Sequence, residues 1–298
     1  MTRADTVPAH PLRGTLLVLV SAACFGTTLI LTQRGLDGGA TLPALLAYRY
    51  ALGSVMLAIV AGGVAPVIGV GERKWRLLLI GGGSQALLAT LTVLSLRFIP
   101  AASVAFLFYT YPTWVALLAI VRRTERVEAR KVLALVLSLA GIVTIIGNPL
   151  ATQLDPRGIG LALAAAIVYA LMIPWLGRIQ EGLKPAPAVT WITLGAAACF
   201  AVGAVATQSV VFPPTPSLLL WATALAVFPT TIAFITFLAG LAALGPVKTS
   251  IVSTVEPFWT AVLAGLVLGQ PVGPRTWIGG AMIAAAMVVL QRTTADAN

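Results

Sequence analysis

Charge is scarce in this chain. Of its 298 residues 9% are charged, against about 25% in an ordinary soluble domain, while 59% are apolar and the mean hydropathy is +0.98. Too few polar side chains remain to coat a water-soluble fold of this length, so a soluble enzyme is excluded and lipid is the expected solvent. Cysteine is nearly absent: Cys24 and Cys199 both lie inside apolar runs and read as packing residues, not as a disulfide framework. The one histidine, His10, sits in the N-terminal tail, and no Cys or carboxylate cluster has metal-ligand spacing, so neither a midplane metal nor a cofactor is expected. Gly240, Gly245 and Pro246-Val247-Lys248-Thr249 imitate a phosphate loop only loosely, with Pro and Val between the second glycine and the lysine. That excludes an ATP-driven pump. No nucleophile, base and oxyanion set can be assembled, so the chain does not read as an enzyme.

What the chain has instead is long apolar runs. Broken at charges and at Gly and Pro clusters, the hydropathy leaves ten segments, near 14–33, 41–64, 75–96, 101–121, 129–147, 158–177, 188–207, 217–240, 246–268 and 275–290. In hydrocarbon a backbone must satisfy its own hydrogen bonds, and these runs do not alternate as barrel strands do, so they predict helices. The expected fold is an all-α integral membrane protein of ten transmembrane helices. Ten spans of about 20 residues use about 200 of the chain and leave no room for an extramembrane domain. The run from Arg13 to Ser21-Ala22-Ala23-Cys24 resembles a cleaved export or lipoprotein signal; an internal repeat of the chain predicts that it is retained.

The net charge of +10 is explained by where the cations sit. With a cytoplasmic N-terminus, the inside tails and loops hold Arg3, Arg13, Arg73, Lys74, Arg76, Arg122, Arg123, Arg126, Arg130, Lys131, Arg178, Lys184 and Arg292. The outside loops hold Arg34, Arg97, Arg157 and Arg275. Thirteen against four predicts both termini cytoplasmic by the positive-inside rule. The basic balance therefore reports topology and anionic lipid headgroups, and nucleic acid is not an expected partner.

The second half echoes the first at an offset of 144 to 146 residues. At 145, Pro112, Trp114, Ala116 and Arg130 meet Pro257, Trp259, Ala261 and Arg275; at 146, Trp75 and Pro100 meet Trp221 and Pro246; at 144, Gly14 meets Gly158 and Phe25 meets Tyr169. Each half then holds five spans, and an odd number inserts the second half upside down. The reading is an inverted repeat, residues 14–147 and 158–290, joined by an external linker at 148–157 and flanked by cytoplasmic tails at 1–13 and 291–298. Inverted repeats are the architecture of alternating-access carriers with a midplane site.

Several residues carry a resemblance. Tyr48-Arg49 in span two, Pro112-Thr113-Trp114 followed by Glu125, and Thr254-Val255-Glu256-Pro257-Phe258 in span nine are similar to the EamA branch of the drug/metabolite transporter superfamily, over nearly the whole chain. Within it the pattern is most similar to exporters of aromatic amino acids. The resemblance implies export of amino acids and related small metabolites across a bacterial inner membrane. It departs at Gly269-Gln270, where the family usually closes its second repeat with Gly-Glu. A lipid, sugar-phosphate or nucleotide-sugar translocator on the same fold is the alternative, and it would want more midplane cations than Arg49.

Two ionisable residues stand inside spans, Arg49 and Glu256, and such residues are functional candidates by default. Either they pair with each other or with backbone carbonyls, or Arg49 holds a substrate carboxylate while Glu256 takes an ammonium or exchanges a proton. Helical spacing sets Ser253 and Glu256 on one face of span nine, Phe25 and Thr28 on one face of span one, and Gln85 on span three. Phe108 and Tyr111 of span four and Tyr169 of span six offer an aromatic wall, suited to a small amphipathic solute or simply to packing. Pro112, Pro229 and Pro257 each remove a helix hydrogen bond, freeing the carbonyls of Phe108, Leu225 and Ser253. Gly82, within Gly81-Gly82-Gly83, occupies the repeat position of Pro229. These four read either as hinges for rocking or as sites of static close packing.

Overall fold

A computed structural model of the chain describes residues 11–124, 128–147, 154–269 and 272–295, and among these every regular element is helical. Nine helices are long and apolar enough to cross a membrane: Leu12–Asp37, Leu42–Val60, Arg73–Ser95, Ser103–Val121, Ala129–Ile146, Pro156–Ile179, Pro185–Ala206, Pro216–Leu244 and Pro246–Val267. A shorter apolar helix follows at Pro274–Leu290. We number these spans one to ten. They match the ten predicted segments to within a turn or so.

Local chemistry sets the boundaries. Spans two, six, seven, eight, nine and ten carry proline in the first turn, where its missing N–H would have had no helical acceptor. Asp155 caps span six by accepting from the Arg157 N–H at 2.8 Å, and Thr215 caps span eight by accepting from Leu218 N–H at 3.2 Å. Gly245, at φ +76°, ends span eight and lets span nine begin at once.

Five of the spans are irregular inside, and four of the irregularities come in repeat-related pairs. Span four is two helices, Ala101–Phe108 and Tyr111–Val121, and span nine is Pro246–Val252 and Glu256–Leu268 joined by the 3₁₀ turn Ser253–Val255. At the 145-residue offset these two breaks coincide. Spans three and eight each contain a π-helical turn, Leu77–Gly82 and Val227–Ile232, within about one turn of equivalent positions. The fifth irregularity has no twin: span one breaks between Pro11–Gly26 and Thr28–Asp37, whereas span six runs unbroken from Pro156 to Ile179 through Pro174.

All ten spans contribute to the main core, where Val18, Tyr111, Ile173, Phe237, Leu238 and Ile251 of spans one, four, six, eight and nine are buried. Spans five and ten pack chiefly on each other. Spans three and seven meet through Gly82 and Gly195, so closely that a Cβ on Gly82 would come 2.5 Å from the Gly195 Cα.

Candidate functional site

The break in span one lies against the start of the second helix of span nine. The Thr27 N–H and hydroxyl both turn back to the Cys24 carbonyl, at 3.1 and 2.7 Å, which ends the first helix. The Thr260 hydroxyl donates to the Glu256 carbonyl at 3.0 Å and reaches the Gly26 carbonyl at 3.3 Å. A Cβ on Gly26 would meet Thr260 Oγ1 at 3.2 Å and the Glu256 carbonyl oxygen at 3.4 Å, so only glycine permits this crossing without displacement. Thr28 starts the next helix immediately beyond it.

Glu256 therefore stands at the crossing of two broken helices. The Tyr109 hydroxyl is a neighbour of its carboxyl, and its side chain remains partly accessible. From Tyr109 a continuous set of rings leads away. Phe108 lies 5.5 Å from both Tyr109 and Tyr111 and 5.6 Å from Tyr169, Tyr111 and Tyr169 meet edge to face at 4.7 Å, and Tyr169 stacks on Phe237 at 6.4 Å. Phe25 packs edge-on against Phe234 at 5.3 Å and Phe237 at 6.4 Å. The four aromatic residues singled out in the sequence, Phe25, Phe108, Tyr111 and Tyr169, thus share one wall with each other and with Glu256.

Tyr109, Phe234 and Phe237 were not singled out in the sequence. Tyr109 escapes a helical-periodicity reading because it sits about 100° around a regular helix from Phe108. The break at Tyr109 and Thr110, with Tyr109 at φ −70° and ψ 6°, brings it onto the wall. A run of Phe108-Tyr109 before Thr-Tyr-Pro was the available signal.

A cavity of about 750 Å³ opens below these rings, between the ends of spans four, six and eight. Val115, Arg122, Pro174, Arg178, Leu241 and Pro246 are among its lining residues. Tyr111, Tyr169 and Phe237 lie about one turn deeper on the same three helices. The loops at this mouth are those that the cation count assigns to the cytoplasm.

Arg49 is elsewhere and is occupied. It is 5% exposed, its Nε donates to Thr230 Oγ1 at 2.9 Å and its Nη2 to the Pro229 carbonyl at 3.3 Å. The Thr230 hydroxyl in turn donates to the Leu225 carbonyl at 2.8 Å, the group that Pro229 leaves without a helical partner. Of the two sequence alternatives for Arg49, the structure shows the bond to backbone carbonyl, and it makes no ion pair with Glu256. Gln85 belongs to this second cluster: its Nε2 donates to the Tyr50 hydroxyl at 3.0 Å, Tyr50 stacks on Phe200 at 5.5 Å, and the Arg49 guanidinium lies 5.0 Å from the Tyr50 ring centre.

Other expectations are corrected by the hydrogen bonds. The Ser253 carbonyl accepts from the Glu256 N–H in the 3₁₀ turn, so Pro257 does not leave it free beside the carboxyl. The Ser253 hydroxyl donates to the Thr249 carbonyl at 2.9 Å, an internal bond of the helix. Pro112 and Pro257 both fall in the first turn after a break, at the second position of helices Tyr111–Val121 and Glu256–Leu268, and so mark restarts of a helix instead of kinks within one. Gly82 serves the close contact with Gly195. Glu125, Arg126 and Gln270 lie outside the described residues.

A bundle of two five-helix repeats, with a carboxylate at the crossing of discontinuous helices, defines the inverted-repeat class of membrane carriers. Residues 12–147 and 156–292 each match the model of the EamA-like transporter family, and the chain belongs to that family. This places it among transporters and not among enzymes. A relative from Salmonella typhimurium described as an uncharacterized inner membrane transporter, YicL, is 28% identical over 193 residues, which cover 64% of this chain and 64% of the relative's length. A solved crystal structure superposes with a TM-score of 0.79 over 93% of this chain and 96% of the other at 22% identity; at that identity the likeness establishes the fold alone.

Proposed function

We propose that the protein is a secondary transporter of a bacterial inner membrane that exports amino acids, aromatic ones included, by alternating access. The observation that carries this reading is the Glu256 carboxyl within the membrane, beside the Tyr109 hydroxyl and in the company of Phe108, Tyr111, Tyr169, Phe237 and Phe25. A substrate ammonium pairs with Glu256 and with the faces of the tyrosine rings, while an apolar or aromatic side chain covers the remaining rings. The N-terminal ends of the helices that restart at Thr28 and Tyr111 offer partial positive charge to the substrate carboxylate. Exchange of a proton for substrate at Glu256 would couple export to the proton gradient.

The engagement of Arg49 with span eight weighs against the sugar-phosphate or lipid-headgroup alternative, since it withdraws two of that cation's donors. Purified protein in proteoliposomes, challenged with labelled phenylalanine, phenylethylamine, N-acetylphenylalanine and a hexose phosphate, tests the proposal. Zwitterions and amines are expected to move and the N-acetylated compound is not. Movement of the hexose phosphate alone would replace this reading by the alternative.

Both termini are proposed to be cytoplasmic. In a Cys24→Ala, Cys199→Ala background, an impermeant thiol reagent added outside cells should label Asp155→Cys and leave Arg126→Cys untouched. The reverse pattern would invert the assignment of the cavity mouth and of export.

A further inference from the structure

The two ends of the bundle are bonded differently. At one end Arg34, in the last turn of helix Thr28–Asp37, donates from Nη2 to the Val267 carbonyl at 3.1 Å. Val267 lies in the last turn of helix Glu256–Leu268. A cation on the unsatisfied carbonyls of a helix C-terminus is favourable, so this contact ties span one to span nine.

The repeat supplies a second copy of the same pair. The offset of 144 that sets Phe25 on Tyr169 sets Arg34 on Arg178, and the offset of 145 that sets Pro112 on Pro257 sets Arg122 on Val267. Arg178 is in the last turn of span six, and Arg122 is the C-cap of helix Tyr111–Val121. Here the two partners are apart. Arg178 is exposed and its side chain makes no hydrogen bond or ion pair among the described residues, and it and Arg122 both line the cavity of about 750 Å³. The carbonyls of Leu118, Ala119 and Ile120 already accept from the N–H groups of Arg122, Thr124 and Arg123. The acceptors left for Arg178 at that helix end are those of Val121 and Arg122.

We infer that Arg34 and Arg178 are mirrored latches, each closing one mouth of the transport path by docking on the last carbonyls of the broken helix opposite, with only one latched at a time. The inference rests on the alternating-access reading and deepens it. In this structure Arg34 is latched and the mouth at Arg178 is open. When the halves rock, Arg34 leaves Val267 and Arg178 closes on span four. The two latches are not equal in charge: Arg122 and Arg123 stand at the docking end for Arg178, Glu181 also lines that mouth, and no cation occupies the matching position at Val267. Like charge at the acceptor end favours the arrangement with Arg178 released.

Thiol labelling in nanodiscs, where both faces are accessible, reads the open mouth without any substrate. In the background lacking both native cysteines, Ala242→Cys places a thiol at an exposed lining position of the cavity. Arg34→Ala should lower the open-to-closed ratio of this mouth by about 3- to 10-fold, the scale of one charge-assisted hydrogen bond at a wet site, and so slow the reaction with an impermeant maleimide in proportion to the open fraction. Arg178→Ala should leave the rate at the parent value or raise it, and the double variant should lie between the two. Arg34→Lys keeps one charged donor and should stay near the parent rate, and Arg34→Gln repeats the test should the alanine variant aggregate. An unchanged rate in both Arg34→Ala and Arg34→Gln, or a decrease in Arg178→Ala matching that in Arg34→Ala, overturns the latches. A chain that transports nothing from the panel above still reports them, so failure of the substrate reading and failure of the latches are separate results.

Discussion

Arg49 and Glu256 are both ionisable side chains inside spans, and the protein surrounds them in opposite ways. Arg49 is buried and spends Nε and Nη2 on Thr230 and the Pro229 carbonyl, mending a helix that proline has interrupted. Glu256 sits at a crossing of broken helices with the Tyr109 hydroxyl beside it, aromatic rings on one side and some accessible surface. Each costs several kcal/mol to place in a membrane. The difference teaches how that cost is offset. Arg49 is satisfied by the protein's own backbone and clamps span two to span eight, whereas Glu256 keeps capacity for something the protein does not supply.

The comparison breaks most readily at Arg49. Arg49→Ala would leave the Pro229 carbonyl and one side of Thr230 unpaired in a dry interface, at about 1–3 kcal/mol for each buried group. Loss of monodisperse protein, or a fall in melting temperature of more than about 5 °C, is expected by size-exclusion chromatography and thermal shift. A fully stable variant with altered substrate preference would move Arg49 from the clamp to the site.

A control lies in the pair of spans that pack chiefly on each other, five and ten. A Cβ on Gly280 would come 2.5 Å from the Phe258 ring. Gly280→Leu should lower the yield of folded protein with unchanged substrate ranking in the fraction that folds. A changed ranking at normal yield would show that the site extends to span ten.

Glu256→Gln sharpens the other side of the comparison. It keeps the shape and deletes the charge, so zwitterion transport should fall by about tenfold or more, as for loss of a charge-assisted contact, and any pH dependence of the rate should flatten. The melting temperature should move by less than about 2 °C. Parent rates and an unchanged pH profile would make Glu256 a second structural charge, like Arg49. The smallest effect is expected for Tyr109→Phe, which removes the hydroxyl beside Glu256 and leaves the ring in place. An increase in KM of about threefold, with kcat held, is the expected kinetic result. A loss as large as that of Glu256→Gln would mean that the hydroxyl and the carboxyl work as a unit.

Much of the fold was readable without coordinates because each spanning helix makes its own hydrogen bonds. Hydropathy located all ten helices, and Pro112 with Pro257, read as hinges or packing sites, marked equivalent positions at which the structure has helix restarts. The site was readable in part. Phe108 and Tyr111 were found from their spacing of three and Tyr169 from the repeat position of Phe25, and the first two still meet at 5.5 Å although span four breaks between them. Tyr109 and the partners of Arg49 were not, since a break rotates every residue beyond it and a guanidinium can reach any carbonyl within its length. Ser253 and its carbonyl were overvalued for the same reason: removing one helix bond with proline does not say which other donor will take its place.

By itself the sequence determined the solvent, the number of spans, the repeat and the presence of two ionisable residues within spans. These follow from composition and from hydrogen bonding inside single segments. Only the tertiary structure decided that Arg49 closes on span eight while Glu256 faces Tyr109, that Gly26 lets span one cross span nine, and that the Arg34 side chain is bonded where that of Arg178 has no partner among the described residues. Those outcomes depend on which helices approach one another and at what angle, and the approach is set by small residues and broken turns acting between segments far apart in the chain.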